Sequence, residues 1–290
     1  ALDFDGTDDK VTLGDDASIQ PSAAFTLEAW IYPTTVTGDH RILTKYSGTG
    51  SAAGELTFDL LGDDLRILLF DGGMVSATAA DVLSINTWYH VAARYDGGNT
   101  LLELYLNGSL VAQNTSAPAT ITDVATSWTI GEDAAEGSNP EYFQGLIDNV
   151  RIWTTTRLAS DIRSSATTRL SSGTGLGASY LFDNGIAGGT NTGLTTLSDE
   201  TGTNDGTLSG FALSGSTSNW VSSNAFASAA PEIRVTDGSS NEIGDGGSFT
   251  FGAFNVALGA SQSETITIHN DGLADLNITS TGDIAVSNTA

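Results

Sequence analysis

The sequence contains no cysteine, and its ten lysine and arginine residues are outnumbered by 35 aspartate and glutamate residues. The absence of thiols excludes disulfides, thiol catalysis and cysteine-ligated zinc. The formal net charge of −25 repels nucleic acid phosphates and anionic lipid surfaces, so neither is an expected partner. No apolar run approaches the roughly 18 residues of a membrane-spanning helix, which predicts that the chain does not insert into a membrane.

The remaining composition is typical of an exported protein. Threonine, serine, glycine and aspartate are abundant, and there is a single methionine. A large β-sandwich does not need the disulfides that stabilise small secreted domains. We therefore expect a secreted or cell-surface segment of a longer multidomain chain.

Short alternating segments separated by turn signals run along the sequence. The strongest hairpin signal is the alternating run 102–106, followed by Asn107-Gly108 and the run 109–112. Residues 25–32 alternate over eight positions. Many short strands with regular turns predict an all-β sandwich or barrel rather than βαβ units.

Helical spacing is confined to residues 156 to about 170, where Leu158 and Ile162 are four residues apart. Thr155 or Thr156 is the expected N-cap, and we expect the helix to pack across the rim of the sandwich. The polar stretch 166–221 keeps apolar anchors, which predicts long loops with two or three strands.

The chain divides into two predicted domains. Residues 1–223 form the first, and residues 224–231, low in charge and rich in alanine and serine, form a linker. Residues 232–290 alternate at 232–235 and 264–270, which predicts a second, smaller β-domain. This segment is shorter than the ~100 residues of an immunoglobulin-like sandwich, so we expect it to be truncated.

Five segments, in the same order, resemble the bacterial laminin G-like or concanavalin A-like lectin/glucanase domain. They are residues 1–11, 25–33, 86–96, 104–108 and 142–153, the last reading YFQGLIDNVRIW. The resemblance implies a two-sheet antiparallel jelly-roll sandwich, as found in adhesins and in accessory modules of carbohydrate-active enzymes. Residues 231–290 are similar to the choice-of-anchor immunoglobulin-like repeats of large bacterial surface proteins.

The resemblance also implies calcium, since many members of the family bind it. By position, Asp3 or Asp5 would share one ion with Asp148. A second set of oxygen ligands lies in a predicted rim loop and comprises Glu132, Asp133, Glu136, Asn139 and Glu141. The alternative is that these acids are solvated turn residues of a very acidic chain.

Some relatives bind sugars, for which exposed aromatic side chains are the usual signal. The five tryptophans lie in strands with apolar neighbours, which predicts core positions for Trp30, Trp88, Trp128, Trp153 and Trp220. Tyr46, Phe70 and Tyr142 flank loops and are the predicted sugar contacts.

The sequence lacks the usual signs of catalysis. Hydrolytic relatives carry E-x-D-x-E or E-x-D-x-x-E on one strand, and the nearest acids here, at 132–136, have the wrong spacing. No nucleophile elbow surrounds a serine, and His90 lies inside a predicted strand as a packed residue.

We therefore predict a non-catalytic, calcium-stabilised adhesion or carbohydrate-binding module whose partner is a glycan or a cell-surface or matrix polysaccharide. Two alternatives remain open. One is a spacer domain without a specific ligand, and the other is an accessory domain of a polysaccharide-degrading enzyme or a diverged hydrolase.

Overall fold

The computed structural model describes residues 1–20, 22–46, 55–132 and 141–226, with the backbone alone at residue 55. Beyond these it describes the backbone of residues 233–236, 242–243 and 267–270. Contacts divide the chain into two compact units, Ala1–Ser228 and Ala229–Ala290.

The first unit is almost entirely β-structure, with two one-turn 3-10 segments, Ala17–Ile19 and Gly97–Asn99, and the helix α1, Ala159–Ser165. In chain order its strands are β1 (Leu2–Asp5), β2 (Lys10–Gly14), β3 (Ala24–Pro33), β4 (Asp39–Lys45), β5 (Glu55–Leu61), β6 (Asp64–Phe70), β7 (Met74–Ala79), β8 (Tyr89–Asp96), β9 (Leu101–Leu106), β10 (Ser109–Asn114), β11 (Trp128–Ile130), β12 (Gln144–Trp153), β13 (Leu176–Tyr180), β14 (Thr196–Leu197) and β15 (Gly206–Ser209).

These strands form two antiparallel sheets. The seven-stranded sheet has the order β1-β12-β3-β8-β9-β10, with β13 also paired to β12. The eight-stranded sheet has the order β14-β15-β2-β11-β4-β5-β6-β7. Both sheets contribute side chains to one core, which includes Phe4, Phe25, Phe58, Ile67, Val91, Leu104, Trp128, Ile147 and Trp220. The predicted two-sheet antiparallel sandwich is confirmed.

Local signals account for several elements. Asn107 and Gly108 have φ angles of 49° and 78°, so both adopt the left-handed conformation that a tight β9–β10 turn requires. The polar stretch after residue 166 supplies three short strands, β13 to β15. The end of this stretch closes the first unit, because it pairs with the N-terminus. The Val221 N–H donates to the Ala1 carbonyl at 3.1 Å, and Trp220 forms an isolated antiparallel β-bridge with Leu2.

The predicted helix is shorter than its sequence pattern indicates. It spans seven residues, and its N-cap is Leu158, which makes no side-chain capping bond, rather than Thr155 or Thr156. Ile162 is fully buried, but Leu158 is 65% exposed because it precedes the helix and does not share the buried face. The pattern therefore identified the element correctly and misassigned its start.

The second unit is described through three strands, β16 (Ile233–Thr236), β17 (Glu242–Ile243) and β18 (Thr267–Asn270). The central strand β16 pairs antiparallel with both neighbours, and Val235 lies opposite Ile243 and Ile268. The immunoglobulin-like character of this unit and the linker boundaries remain predictions.

Candidate functional site

The two sheets differ in what covers their outer faces, the faces turned away from the core. In β6 the residues alternate, with Leu65, Ile67 and Leu69 buried and Arg66, Leu68 and Phe70 half-buried on the outer face. In β3 and β12 nearly every residue is buried on both faces. A partly open outer face thus belongs to the eight-stranded sheet, and that face is the natural place for a ligand.

A row of threonines crosses this open sheet. The strand registers place Thr196, Thr207, Thr12, Thr129, Thr44 and Thr57 side by side on six neighbouring strands. Thr44 Oγ1 and Thr129 Oγ1 donate to the Glu132 carbonyl oxygen at 2.9 Å and 2.5 Å. Thr12, Thr196 and Thr207 keep partly or fully exposed side chains. Accessible threonine hydroxyls on this face therefore lie on β2, β14 and β15, whereas Thr44, Thr57 and Thr129 are buried.

A second row on the same face is ionic. Asp59 is fully buried and accepts from Arg66 Nε and Nη2, both at 2.9 Å, and from Arg41. Arg41 also pairs with Glu141, and Arg66 Nη2 lies 3.5 Å from Asp39. Burial raises the pKa of Asp59 against the opposing influence of the two arginines, and Asp39 adds to the rise. We call these five residues the Asp59 cluster.

Two of the predicted sugar contacts lie together at one end of this face. The rings of Tyr46 and Phe70 have centroids 5.8 Å apart and are tilted by 39°. Phe70 points outward because its neighbour Leu69 enters the core, and Met74, opposite Phe70 on β7, is 64% exposed. We call Tyr46 and Phe70 the aromatic shelf.

The structure does not bring Tyr142 to this shelf. Its carbonyl oxygen lies 2.8 Å from His40 Nδ1, near the opposite end of β4. Residues 40 and 46 are six positions apart along the chain, roughly 20 Å along the sheet. A separate groove of about 410 Å³ surrounds this position and is lined by Gly6, Thr37, Asp39, His40, Glu141 and Tyr142.

The predicted calcium ligands Asp5 and Asp148 are also apart. Asp5 lies opposite Gln144, and Leu2 lies opposite Ile147. Asp148 is four residues beyond Gln144 on β12, so roughly 13 Å along the strand separates it from the level of Asp5. Asp148 is buried, with Oδ2 3.6 Å from the Ala1 amino group and Oδ1 accepting from the Asn149 backbone N–H at 2.9 Å. The predicted pairing of Asp5 with Asp148 at one ion therefore has no geometric support.

Asp3 is separately engaged. Its Oδ2 accepts from the Ser218 N–H at 3.0 Å, and burial raises the pKa of Asp3 above its ordinary value. In the predicted rim loop, Glu132 pairs with Lys10 at 3.0 Å and Glu141 pairs with Arg41. Asp133, Glu136 and Asn139 lie outside the described residues.

A different acidic group does converge. Carboxylate oxygens of Asp5, Asp8 and Asp9 lie within 4.8 Å of one another, and of these three residues only Asp5 is a predicted ligand. Asp9 is buried, and its Oδ2 accepts from the Asp5 N–H at 2.9 Å. Burial, with Asp5 and Asp8 close by, raises the pKa of Asp9 to about 7. Three carboxylate oxygens within this distance of one another are hard donors of the kind that Ca²⁺ prefers. We call these residues the Asp5 triad.

An exposed group of similar composition lies on the β5–β6 turn and beyond β7. Asp63, Asp64 and Asp81 bring carboxylate oxygens within 4.8 Å of one another, and Asp64 Oδ1 accepts from the Asp81 N–H at 2.9 Å. This group has no buried carboxylate, so it is the weaker candidate for a cation.

The outer face of the seven-stranded sheet holds a buried ionic cluster. Glu28 lies 3.3 Å from His90 Nε2, 2.8 Å from Arg157 Nη1 and 3.4 Å from Arg151 Nη1. Burial alone would raise the pKa of Glu28, but the hydrogen bond from His90 and the two arginines hold that pKa at about 2. Burial lowers the pKa of His90, so the imidazole is neutral. We call these four residues the Glu28 cluster.

The Glu28 cluster attaches the chain after β12 to the sheet. Arg151 Nη1 donates to the Ser165 carbonyl at 2.9 Å, and Trp30 Nε1 donates to the Ala166 carbonyl at 2.8 Å. His90 is thus a packed, hydrogen-bonded residue, as predicted.

All five tryptophans are buried, although Trp30, Trp88 and Trp153 pack outside the inter-sheet core.

A laminin G-type family model described as the concanavalin A-like lectin/glucanases superfamily matches residues 5–163. The chain belongs to this superfamily. The match covers more than half of the sequence and ends within α1, so the superfamily assignment rests on the β-sandwich and not on the second unit. No curated protein matches the sequence.

Several solved structures are similar to this chain at low sequence identity. A candidate carbohydrate-binding protein from Bacteroides ovatus is 20% identical with a TM-score of 0.57, covering 72% of this chain and 58% of its own. The present chain thus spans little more than half of that protein. A pentraxin from Limulus polyphemus is 17% identical with a TM-score of 0.44, covering 57% of this chain and 80% of its own. A sialidase CBM40 module from Ruminococcus gnavus is 15% identical with a TM-score of 0.45, covering 55% of this chain and 94% of its own.

In the described part of the chain, no helix is long and apolar enough to cross a membrane.

Proposed function

We propose that this chain is a non-catalytic, extracellular carbohydrate-binding or adhesion module of a larger bacterial surface or secreted protein. The observation that carries the proposal is the aromatic shelf, two adjacent rings on the partly open face of a lectin-type sandwich. The Bacteroides ovatus protein, which has the same fold, supports the proposal through its assignment to carbohydrate binding.

The chemistry of the face suits a sugar. Aromatic rings offer a flat apolar surface for the C–H face of a pyranose, and Tyr46 and Phe70 provide two rings in a short stretch. Along the same face, the accessible hydroxyls of Thr12, Thr196 and Thr207 provide donors and acceptors for the hydroxyl groups of a sugar. A site with an apolar base and a few convergent polar groups is typical of small-ligand binding.

The same face argues against hydrolysis. A glycosidase needs two carboxyl groups about 5–10 Å apart that are available to act as acid and as nucleophile or base. Asp59, Asp39 and Glu141 are each paired with an arginine, and Glu28 on the other sheet is buried with three partners. We expect no release of reducing ends by this chain from laminarin, agar or chitin, and activity lost on neutralising a single acid would contradict this.

We extend the proposal to calcium at the Asp5 triad. Asp5 ends β1, Asp9 immediately precedes β2, and these strands belong to different sheets. A bound Ca²⁺ would neutralise three adjacent carboxylates and so hold the β1–β2 turn that joins the sheets.

Binding of the whole chain to a glycan array, followed by calorimetry with the best oligosaccharide, tests the proposal. We expect Tyr46→Ala and Phe70→Ala each to weaken binding at least about tenfold, about 1.4 kcal/mol. Tyr32→Ala is the matched control, because Tyr32 forms a similar pair with Trp88, 5.5 Å between centroids, on the other sheet. A chain that binds no glycan would favour the spacer alternative.

A further inference from the structure

A second groove lies on the outer face of the seven-stranded sheet, where β12 ends and the chain returns toward β13. Its volume is about 360 Å³, at the lower end of the range for small-ligand sites. Its lining includes Trp153, Thr155, Arg157, Asp161, Ser172 and Thr174. We call it the Arg157 groove, and it lies on the opposite sheet from the aromatic shelf.

The guanidinium of Arg157 is fixed in place along this groove. Its Cζ lies 4.1 Å from the centre of the Trp153 ring, and its Nη1 donates to Glu28 at 2.8 Å and to Ser165 Oγ at 2.7 Å. The Nε and Nη2 groups have no acceptor among the described residues, and the side chain remains 13% exposed. The Nε–Nη2 edge is therefore preorganised on a side chain that lines the groove.

A second donor at the groove also lacks a partner. Trp153 is 4% exposed, and its indole N–H has no acceptor within the described part of the chain. Gly173 approaches the same ring so closely that a Cβ there would lie 3.1 Å from it. Trp153 is therefore held between Arg157 and the backbone of the opposite wall.

The charge around this groove differs from that of the whole molecule. Four of the ten lysine and arginine residues fall within residues 151–169 of a chain whose net charge is −25, and among these four Arg157 is the one that lines the groove. Arg151 and Arg157 share one buried carboxylate, Glu28, so one positive charge beneath the groove is not balanced within the cluster. Asp161, on the rim, is the one acid among the lining residues of the described structure.

The geometry of the exposed guanidinium edge selects a ligand class. Two parallel N–H groups match the two oxygens of a carboxylate or sulfate, and a stacked, anchored arginine loses little entropy on binding. Thr155, Ser172 and Thr174, whose hydroxyls can donate and accept hydrogen bonds, line the same groove. We propose that the Arg157 groove binds the acid group of a saccharide that carries a carboxylate or a sulfate.

Calorimetry on the whole chain tests this with three probes: trigalacturonate, its methyl ester as a neutral match of similar shape, and a galactose sulfate disaccharide. We expect the two acidic probes to bind, the methyl ester to bind at least about tenfold more weakly, and added NaCl to weaken the acidic probes. Binding of one acidic probe alone would distinguish a carboxylate site from a sulfate site.

Variants of exposed lining residues separate charge recognition from folding. Thr174→Glu should weaken the acidic probes at least about tenfold, whereas Thr174→Gln, of the same size, should retain binding. Asp161→Asn should tighten the binding of the acidic probes about two- to fivefold, because a carboxylate that repels their negative charge is removed.

The aromatic shelf is tested with Tyr46→Ala and Phe70→Ala and this groove with the Thr174 variants, so a failure at the aromatic shelf and a failure here are distinguishable. No binding of either acidic probe, equal binding of the methyl ester, or insensitivity to Thr174→Glu would overturn the proposal.

Discussion

Each sheet of the sandwich carries a buried carboxylate between two arginines, yet the two behave differently. Glu28 lies under the chain that crosses the seven-stranded sheet, and its pKa falls to about 2. Asp59 lies on the partly open sheet, and burial raises its pKa. The arginines of Asp59 have further partners in Glu141 and Asp39, whereas Arg151 and Arg157 have Glu28 as their one carboxylate partner in the described structure. Glu28 therefore balances its arginines as their one carboxylate in the described structure, whereas Asp59 shares that role with Glu141 and Asp39.

The largest expected effect is the loss of the Glu28 carboxylate. Glu28→Gln leaves two largely buried arginines without a counter-ion, and we expect the free energy of unfolding to fall by about 3–5 kcal/mol. Asp59→Asn should cost less, about 1–3 kcal/mol, because Arg41 and Arg66 keep other acids. Urea denaturation of both isosteric variants measures the difference. Equal losses of unfolding free energy in the two variants would contradict the expected difference between Glu28 and Asp59.

Acid should reveal the same contrast. The pKa of Glu28 is depressed from 4.5 to about 2, so its contribution is complete above pH 4.5 and is lost as the pH falls from there toward 2. This contribution amounts to about 3 kcal/mol. The stability gap between the wild-type chain and Glu28→Gln should therefore close between pH 5 and pH 2. A gap that is constant over this interval would show that Glu28 is not ionised in the folded state.

Calcium should act at the turn that connects the two sheets. Saturating Ca²⁺, at 100 times its dissociation constant, should stabilise the chain by about 2.7 kcal/mol, and excess chelator should lower the Tm. Asp5→Asn should weaken this response, whereas Asp148→Asn, at a carboxylate far from the triad, should retain it. An unchanged melting curve in chelator would remove calcium from the proposal.

The smallest effect concerns the cover of the seven-stranded sheet. Phe226 packs on Trp30 with centroids 6.1 Å apart, beyond the predicted domain end at residue 223. A fragment of residues 1–228 should fold cooperatively, and one of residues 1–223 should be less stable by about 1 kcal/mol. Thermal unfolding of both fragments measures this. Glycan binding on the other sheet should be equal in the two.

Much of the site could be anticipated where local rules apply. Tyr46 and Phe70 were expected next to loops, and strand alternation alone places Phe70 on the face opposite Leu69. The pairing of Asp5 with Asp148 lacks support because it depends on the register of β1 against β12, which a single sequence does not define. The Asp8-Asp9 dipeptide beside Asp5 was the available signal for the triad.

The sequence by itself determined the all-β class, the β9–β10 turn at Asn107-Gly108 and the absence of thiol chemistry, because these follow from local conformation and composition. Tertiary structure alone decided that the outer face of β3 is buried and that Glu28 meets Arg157. These two residues are 129 positions apart, and no local preference encodes their contact. The contact exists because the chain after β12 folds back over the sheet, excludes water, and leaves a buried carboxylate that requires a partner of opposite charge.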